Sequence, residues 1–308
     1  MRALTVTSPE PESAQETPNA GVATTLDARV SGALDADQCP HASWPWYGWD
    51  VANRTFAIGD IHGDLVALQT LLVRLPQLDD QDTIVFLGDY IDRGPRSKEV
   101  IDLVRDLQKR APLKVVTLRG NHEDGWLRVL SGGWPEFTMP PGNGCLSALR
   151  SYTGVPFLEG DRPTAEELDM MRTGRFFPQE VVDWMGSLGY FYEDEHAIYV
   201  HAGLLEETTT NADGTPGPSR WRHPAETENQ TLLLWVRTMK FFLEYRGKLV
   251  VVGHTTTENL PPELDKYSPE DPLDTWAGEN VIAIDTGAGK GGFLTCLELP
   301  ARKTWESR

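Results

Sequence analysis

Six side chains with metal-binding chemistry stand just behind hydrophobic runs along this 308-residue chain. Asp60 and His62 lie in Gly59-Asp60-Ile61-His62-Gly63, Asp89 follows Gly88, and Asn121 lies in Gly120-Asn121-His122. His201 opens His201-Ala202-Gly203, and His254 sits in Gly253-His254-Thr255. Taken singly, each has a bland explanation: an Asp after a strand caps a helix, and a His there is a polar loop residue. Five such blocks together change the reading, because strand ends in one sheet share one rim. Two carboxylates, one amide and three imidazoles form a mixed oxygen and nitrogen donor set, suited to Mn²⁺, Fe or Zn²⁺ rather than to a thiolate site. Six donors suffice for two metals. If Asp89 bridges, each ion keeps positions open for water and substrate, as a catalytic site requires. The adjacent glycines let backbone and ligand approach closely.

The elements that must position these groups are written in the hydrophobic pattern. Thr55-Phe56-Ala57-Ile58, residues 83–87 and residues 113–118 read as buried strands. Between them Leu65, Leu68, Leu72 and Leu75, and then Val100, Val104 and Leu107, recur at helical spacing. This βαβαβ order implies a parallel core with right-handed crossovers, its functional loops gathered at the carboxyl ends of the strands. Phe191-Tyr192 and residues 197–200 read as a hairpin ending at His201, and residues 231–244 as a helix. Residues 249–252 read as a buried strand ending at Gly253-His254, and residues 281–285 and 293–299 close the sheet. Residues 206–229 read as a polar loop and residues 260–272 as a surface excursion.

Residues 131–178, punctuated by Gly132-Gly133, Pro140-Pro141 and Pro163, read as a long insertion with short helices at 145–152 and 165–171. It carries none of the candidate donors yet follows directly after Asn121-His122. It is therefore expected to cap the site and to govern substrate choice rather than chemistry. Val181, Met185 and Leu188 mark one further helix. Lys290, in Gly287-Ala288-Gly289-Lys290-Gly291-Gly292, invites comparison with a phosphate-binding loop, but the spacing is wrong and no helix follows. A Gly-rich hairpin is the expectation there.

The bulk properties narrow the function. Residues 1–45 are rich in Thr, Ala, Pro, Glu and Asp and are expected to be a disordered extension, with Cys39 and His41 incidental. Trp44, Trp46, Tyr47 and Trp49 are expected to dock the end of this arm onto a single catalytic domain over residues 46–300, leaving 301–308 as a tail. Hydrophobic residues make up 40% and charged residues 24%, no apolar stretch reaches bilayer length, and the first residues lack the apolar run of a secretory signal. A cytoplasmic protein with no membrane partner is expected. Cys39, Cys145 and Cys296 are far apart and odd in number, which fits reduced thiols rather than a disulfide framework. The net charge of −18 repels polyanions and argues against nucleic acid as a partner, although bound cations would dominate the potential locally.

The five blocks, in this order, resemble the metallophosphoesterase signature over roughly residues 54–299. Gly88-Asp89-Tyr90-Ile91-Asp92-Arg93-Gly94, followed by Ser97 and Glu99, is similar to the phosphoprotein phosphatase branch, as is Leu118-Arg119-Gly120-Asn121-His122-Glu123. The resemblance implies an α/β fold, a β-sandwich of mixed sheets flanked by helices, with a dimetal site at the strand ends. It implies that Asp60, His62 and Asp89 hold one metal, and that Asp89, Asn121, His201 and His254 hold the other. Mn²⁺ is the expected ion, with Fe or Zn²⁺ also compatible.

By the same matching, Arg93 and Arg237 clamp the phosphate beside Asn121, since a guanidinium fork fits phosphate oxygens in a bidentate manner. Arg237 lies in Leu233-Leu234-Trp235-Val236-Arg237, which is similar to the Trp-x-Arg segment of bacterial members. His122 protonates the leaving oxygen, and Asp92 orients and stabilises its imidazolium. A metal-activated water then attacks phosphorus in line, without a phosphoenzyme.

His201-Ala202-Gly203 stands where eukaryotic members usually carry His-Gly-Gly, and Ile284-Asp285-Thr286-Gly287-Ala288 resembles prokaryotic relatives, so a bacterial-type enzyme is expected. That branch includes symmetrical diadenosine tetraphosphate hydrolases. Asp92, Ser97 and Glu99 favour a serine/threonine phosphoprotein phosphatase acting on a phosphorylated protein or a small phosphoester. A dinucleoside polyphosphate hydrolase is the alternative. The intact donor set with Asp92 and His122 disfavours a third reading, a catalytically silent phosphoprotein-binding scaffold.

Overall fold

The computed structural model describes residues 53–139, 142–266 and 273–308. The expectations for residues 1–45, for Cys39 and His41 and for the aromatic cluster at 44–49 lie outside the described residues.

The first half of the fold follows the βαβαβ pattern. Strands β1 (Thr55–Ile58), β2 (Thr83–Phe86) and β3 (Lys114–Thr117) run parallel, joined by helices α1 (Leu65–Arg74) and α2 (Ser97–Arg110). Helix α3 (Asn121–Leu130) leaves the end of β3, followed by a 3₁₀ turn at Pro135–Thr138 and by α4 (Cys145–Thr153), α5 (Ala165–Thr173) and α6 (Gln179–Ser187). The hairpin β4 (Phe191–Glu193) and β5 (Ile198–Val200) then begins a second sheet. After it come the hairpin β6 (Glu206–Thr210) and β7 (Pro216–Trp221), helix α7 (Met239–Glu244), and strands β8 (Val250–Val252), β9 (Trp276–Ala277) and β10 (Val281–Ala283). Strands β11 (Thr295–Leu299) and β12 (Lys303–Glu306) return to the first sheet. The strand orders are β12-β11-β1-β2-β3 and β4-β5-β8-β10-β9, each a mixed sheet.

Alternation along the strands explains why the two sheets stack. In β1, Phe56 and Ile58 join Leu68, Leu71, Val100 and Val104 of the covering helices, whereas Ala57 faces the other way. In β8 and β10, Val250, Val252, Val281 and Ala283 pack outward against Phe241 and Trp276, while Val251 and Ile282 point inward. Ala57, Val85, Leu118, Tyr199, Val251, Ile282 and Leu297 form one apolar layer drawn from both sheets. A strand buried on both faces reads as a continuous apolar run, which is why β1, β2 and β8 are so plain in the sequence.

Four readings need correction. Residues 206–229 include the β6/β7 hairpin, whose strands pair with each other and join neither main sheet, so their polar composition gives no core signal. Residues 231–244 are not one helix: a 3₁₀ segment, Gln230–Leu234, is broken at Trp235 before α7. The Trp235 indole donates to Asp124 Oδ2 of α3 at 3.1 Å and packs edge-on against Trp134, contacts that draw the chain out of helical register. Residues 287–292 connect strands of different sheets rather than forming a hairpin within one. Residues 301–308, expected as a tail, contribute β12, anchored by Trp305 over the core and by its Nε1–H to Glu298 at 2.9 Å. Among the described residues, no helix is long and apolar enough to cross a membrane.

Candidate active site

Both sheets aim their carboxyl ends at one rim. Asp60, His62, Asp89 and Asn121 follow β1, β2 and β3 of the first sheet; His201 and His254 follow β5 and β8 of the second. All six are buried, none more than 4% exposed. The backbone is bent to bring them together. Six non-glycine residues have positive φ among the described residues, and five of them are His62, Asp89, Asp92, Arg93 and His254. Such conformations cost about 1–3 kcal/mol each and persist where the surroundings over-determine them. Two glycines are required outright: a Cβ on Gly120 would lie 2.1 Å from Asp89 Oδ1, and one on Gly253 would lie 2.1 Å from Asp60 Oδ1.

The donor atoms converge in a way that fits a cation. His201 Nδ1 meets the Leu87 carbonyl at 2.9 Å, so its single neutral-state proton sits there and the Nε2 lone pair faces inward. That Nε2 is 2.9 Å from Asn121 Oδ1 and 3.5 Å from Asp89 Oδ1, and His254 Nδ1 is 2.7 Å from the same Asn121 oxygen. His62 repeats the arrangement: Nδ1 contacts the Ile91 carbonyl at 3.1 Å, and Nε2, buried without a hydrogen-bond partner, lies 3.5 Å from Asp89 Oδ2 and 3.8 Å from Asp60 Oδ2. Backbone carbonyls that fix the imidazole tautomer and leave the other nitrogen toward carboxylates are the usual outer support of a metal site. Burial pushes His62, His201 and His254 below the ordinary imidazole range, leaving them neutral as ligation requires. Burial, then the charges of Asp285 and Asp89, push the Asp60 carboxyl up; the His254 N–H donates to both its oxygens at 3.1 and 3.0 Å. Burial alone would also raise Asp89, but His201, His122 and His62 outweigh it and hold it below the usual carboxylate range.

His122 differs from the other three imidazoles. Its Nδ1 lies 2.6 Å from Asp92 Oδ2, and Asp92, fully buried, also accepts from the Trp126 indole at 2.9 and 3.1 Å. Burial opposes a charge on His122, yet Asp89 and Asp92 outweigh it and raise its pKa. His122 Nε2 is 3.9 Å from Asp89 Oδ2, close enough to serve as a third donor beside His62. The Arg93 guanidinium stands 3.4 Å from that same nitrogen, however, and a metal ion there would face a fixed positive charge. Asp60 is the better partner for His62. The charge of the exposed Arg237 adds to burial and His201 in lowering His254.

Several contributing groups had no role assigned from the sequence. Glu123, fully buried, accepts from the backbone N–H of Asp89, Tyr90 and Gly120 at 2.9–3.0 Å and so fixes the loop that presents Asp89. Burial and the nearby Asp89 charge push its carboxyl up to about 8, while the N–H donors pull the other way. Trp126 falls one helical turn after His122, a spacing that could have flagged it. Lys290 pairs with the buried Asp285 at 3.0 Å, and its charge pulls Asp60 back toward ionisation. Cys145 Sγ lies 3.8 Å from Asp92 Oδ2, and burial pushes its thiol well up, so it is no nucleophile.

Residues 54–258 match the family described as calcineurin-like phosphoesterase (Metallophos). The chain is 26% identical over 294 residues to a symmetrical bis(5'-nucleosyl)-tetraphosphatase of Dechloromonas aromatica (strain RCB), covering 82% of this chain and 95% of that one. It is 40% identical over 89 residues to the serine/threonine-protein phosphatase SIT4 of Candida albicans, a stretch covering 28% of each chain. The solved structure of a metallophosphoesterase from Sphaerobacter thermophilus aligns with a TM-score of 0.45 at 20% identity, over 83% of this chain and 87% of that one. This chain therefore belongs to the calcineurin-like phosphoesterase family and is a metal-dependent phosphoric ester hydrolase.

Proposed function

We propose that the protein is a phosphomonoesterase whose substrates are phosphoserine- or phosphothreonine-type alkyl phosphates. The observation that carries this reading is the buried chain from Trp126 through Asp92 to His122. It holds an imidazole proton donor beside a phosphate clamp. A departing serine or threonine alkoxide is strongly basic and needs a proton; a departing nucleoside diphosphate is weakly basic and does not.

Asp60, His62 and Asp89 are the proposed holders of one divalent ion, and Asp89, Asn121, His201 and His254 of a second, with Mn²⁺ suited to this oxygen and nitrogen set. When bound, such ions neutralise phosphate charge and acidify water. The chain's own residues do the rest. Arg93 and Arg237 hold phosphate oxygens. As the oxygen of water bonds to phosphorus and the ester P–O bond breaks, the imidazolium of His122, stabilised by Asp92, gives its Nε2 proton to the leaving oxygen. The ring becomes neutral with Nδ1–H still donating to Asp92, and the proton released by the water restores the imidazolium. The products are an alcohol and inorganic phosphate.

A second reading, dinucleoside polyphosphate hydrolysis, is favoured by the similarity to a symmetrical bis(5'-nucleosyl)-tetraphosphatase across nearly the full length of that relative. The two readings separate in one assay of the Mn²⁺-loaded enzyme, with phosphopeptides run beside diadenosine tetraphosphate. Higher kcat/KM on the phosphopeptides is expected. Turnover of the dinucleotide alone would replace the first reading with the second.

A further inference from the structure

The proposed chemistry leaves unused a cavity of about 660 Å³ within residues 138–171. Leu146 of α4 and Met171 of α5 form its buried lining, Phe157 is half-buried, and Met139 is 41% exposed. Three polar side chains of the wall are engaged by the protein, while the exposed Arg162 also lines it. Asn143 Nδ2 donates to the Phe137 carbonyl at 2.9 Å, the Thr138 hydroxyl donates to the Pro135 carbonyl at 3.0 Å, and Asp161 is held by Arg150. Met139, Leu146, Phe157, Pro163 and Met171 therefore offer an occupant carbon surface, with Arg162 beside it.

The cavity also adjoins the phosphate clamp. The Gly144 carbonyl in its wall accepts from the Arg93 backbone N–H at 3.1 Å, and Cys145, its neighbour in the lining, touches Asp92. A Cβ on Gly144 would meet the Arg93 backbone at 2.8–2.9 Å, so the wall is pressed directly against the clamp.

We infer that this cavity is a specificity subsite that takes the apolar side chain of a residue flanking the phosphorylated serine or threonine. The inference rests on the phosphomonoesterase reading and deepens it. An apolar pocket of this kind discriminates between side chains by about 10- to 200-fold.

The test measures kcat/KM for phosphopeptides carrying Leu or Phe, against Gly or Asp, at each position beside the phosphoserine, with p-nitrophenyl phosphate as a substrate lacking a flank. The holoenzyme is compared with Met139→Trp, which enlarges an exposed side chain of the cavity lining that is none of the proposed metal donors or clamp residues. The wild type is expected to prefer an apolar flank by about tenfold or more. Met139→Trp is expected to lose that preference while hydrolysing p-nitrophenyl phosphate as before. Equal rates on all flanks in the wild type, or an undiminished preference in Met139→Trp, would overturn the subsite. Turnover of diadenosine tetraphosphate with no phosphopeptide hydrolysed would overturn the phosphomonoesterase reading and the subsite together, so the two failures are told apart.

Discussion

Asp89 lies between two groups of imidazoles, with Oδ2 3.5 Å from His62 Nε2 and Oδ1 3.5 Å from His201 Nε2. No other side chain of the set faces both groups through separate oxygens. Replacing it with Asn removes the shared charge and one acceptor, so Asp89→Asn is expected to lower occupancy at both metal positions and to cut kcat by at least about 10²-fold. Metal content of the purified variant checks this; two full equivalents with near-normal turnover would remove Asp89 from the bridging role. The six proposed donors were legible because each stands just behind an apolar run with a glycine within two residues, a feature local in sequence. Glu123, Trp126, Lys290 and Asp285 were not, because what they do depends on distances across the fold. Glu123 binds a loop 34 residues away, and Trp126 reaches Asp92 across the same separation.

At the scale of elements, the insertion is held by ion pairs as well as by packing. Glu167 caps the start of α5 by accepting from the Thr164 N–H at 2.8 Å, and it pairs with Arg150 of α4 at 2.8 Å. The Arg150 hydrogen bond holds its carboxyl below the usual range. A carboxylate with a depressed folded pKa stabilises fully above its unfolded value and loses that contribution as pH falls through the folded one. Glu167→Gln is therefore expected to cost about 1–2 kcal/mol at pH 7, and the deficit should shrink progressively below about pH 4.3. Thermal unfolding of both proteins from pH 7 to pH 3 measures it, and a deficit that does not change with pH would contradict the charge-based origin. α4 and α5 stand where short helices were expected, at 145–152 and 165–171. The β6/β7 hairpin and β12 were not, since their pairing partners rather than an apolar face define them. The break at Trp235 was hidden for the same reason: its cause is a hydrogen bond to Asp124, 111 residues away.

At the scale of the whole molecule, the candidate site is a seam. Its residues span Asp60 to His254, and the first sheet supplies four of the six donors while the second supplies His201 and His254. Ions bound there would link the two sheets of the sandwich, so metal affinity becomes folding stability. At a free ion concentration of about 100 times Kd the gain is about 2.7 kcal/mol, or roughly 5–10 °C in Tm for a domain of this size. Chelation of the wild type should lower Tm by that amount and change Asp89→Asn far less, as differential scanning calorimetry would register. The net charge of −18 repels phosphate over most of the surface, which leaves Arg93, Arg237 and the proposed ions as the local exception.

An alkyl phosphomonoesterase must protonate a basic leaving oxygen, and in the proposed function that task is assigned to His122 with Asp92 behind it. The direct measurement is kcat for a series of phosphate esters whose leaving groups run from nitrophenol to serine-like alcohols, in wild type and His122→Asn with metal content matched. The wild type is expected to depend weakly on leaving-group basicity. His122→Asn should depend on it steeply, losing about 10²–10⁴-fold on the alkyl esters and far less on the nitrophenyl ester. Parallel losses across the series would contradict the account and assign His122 to holding phosphate or metal instead.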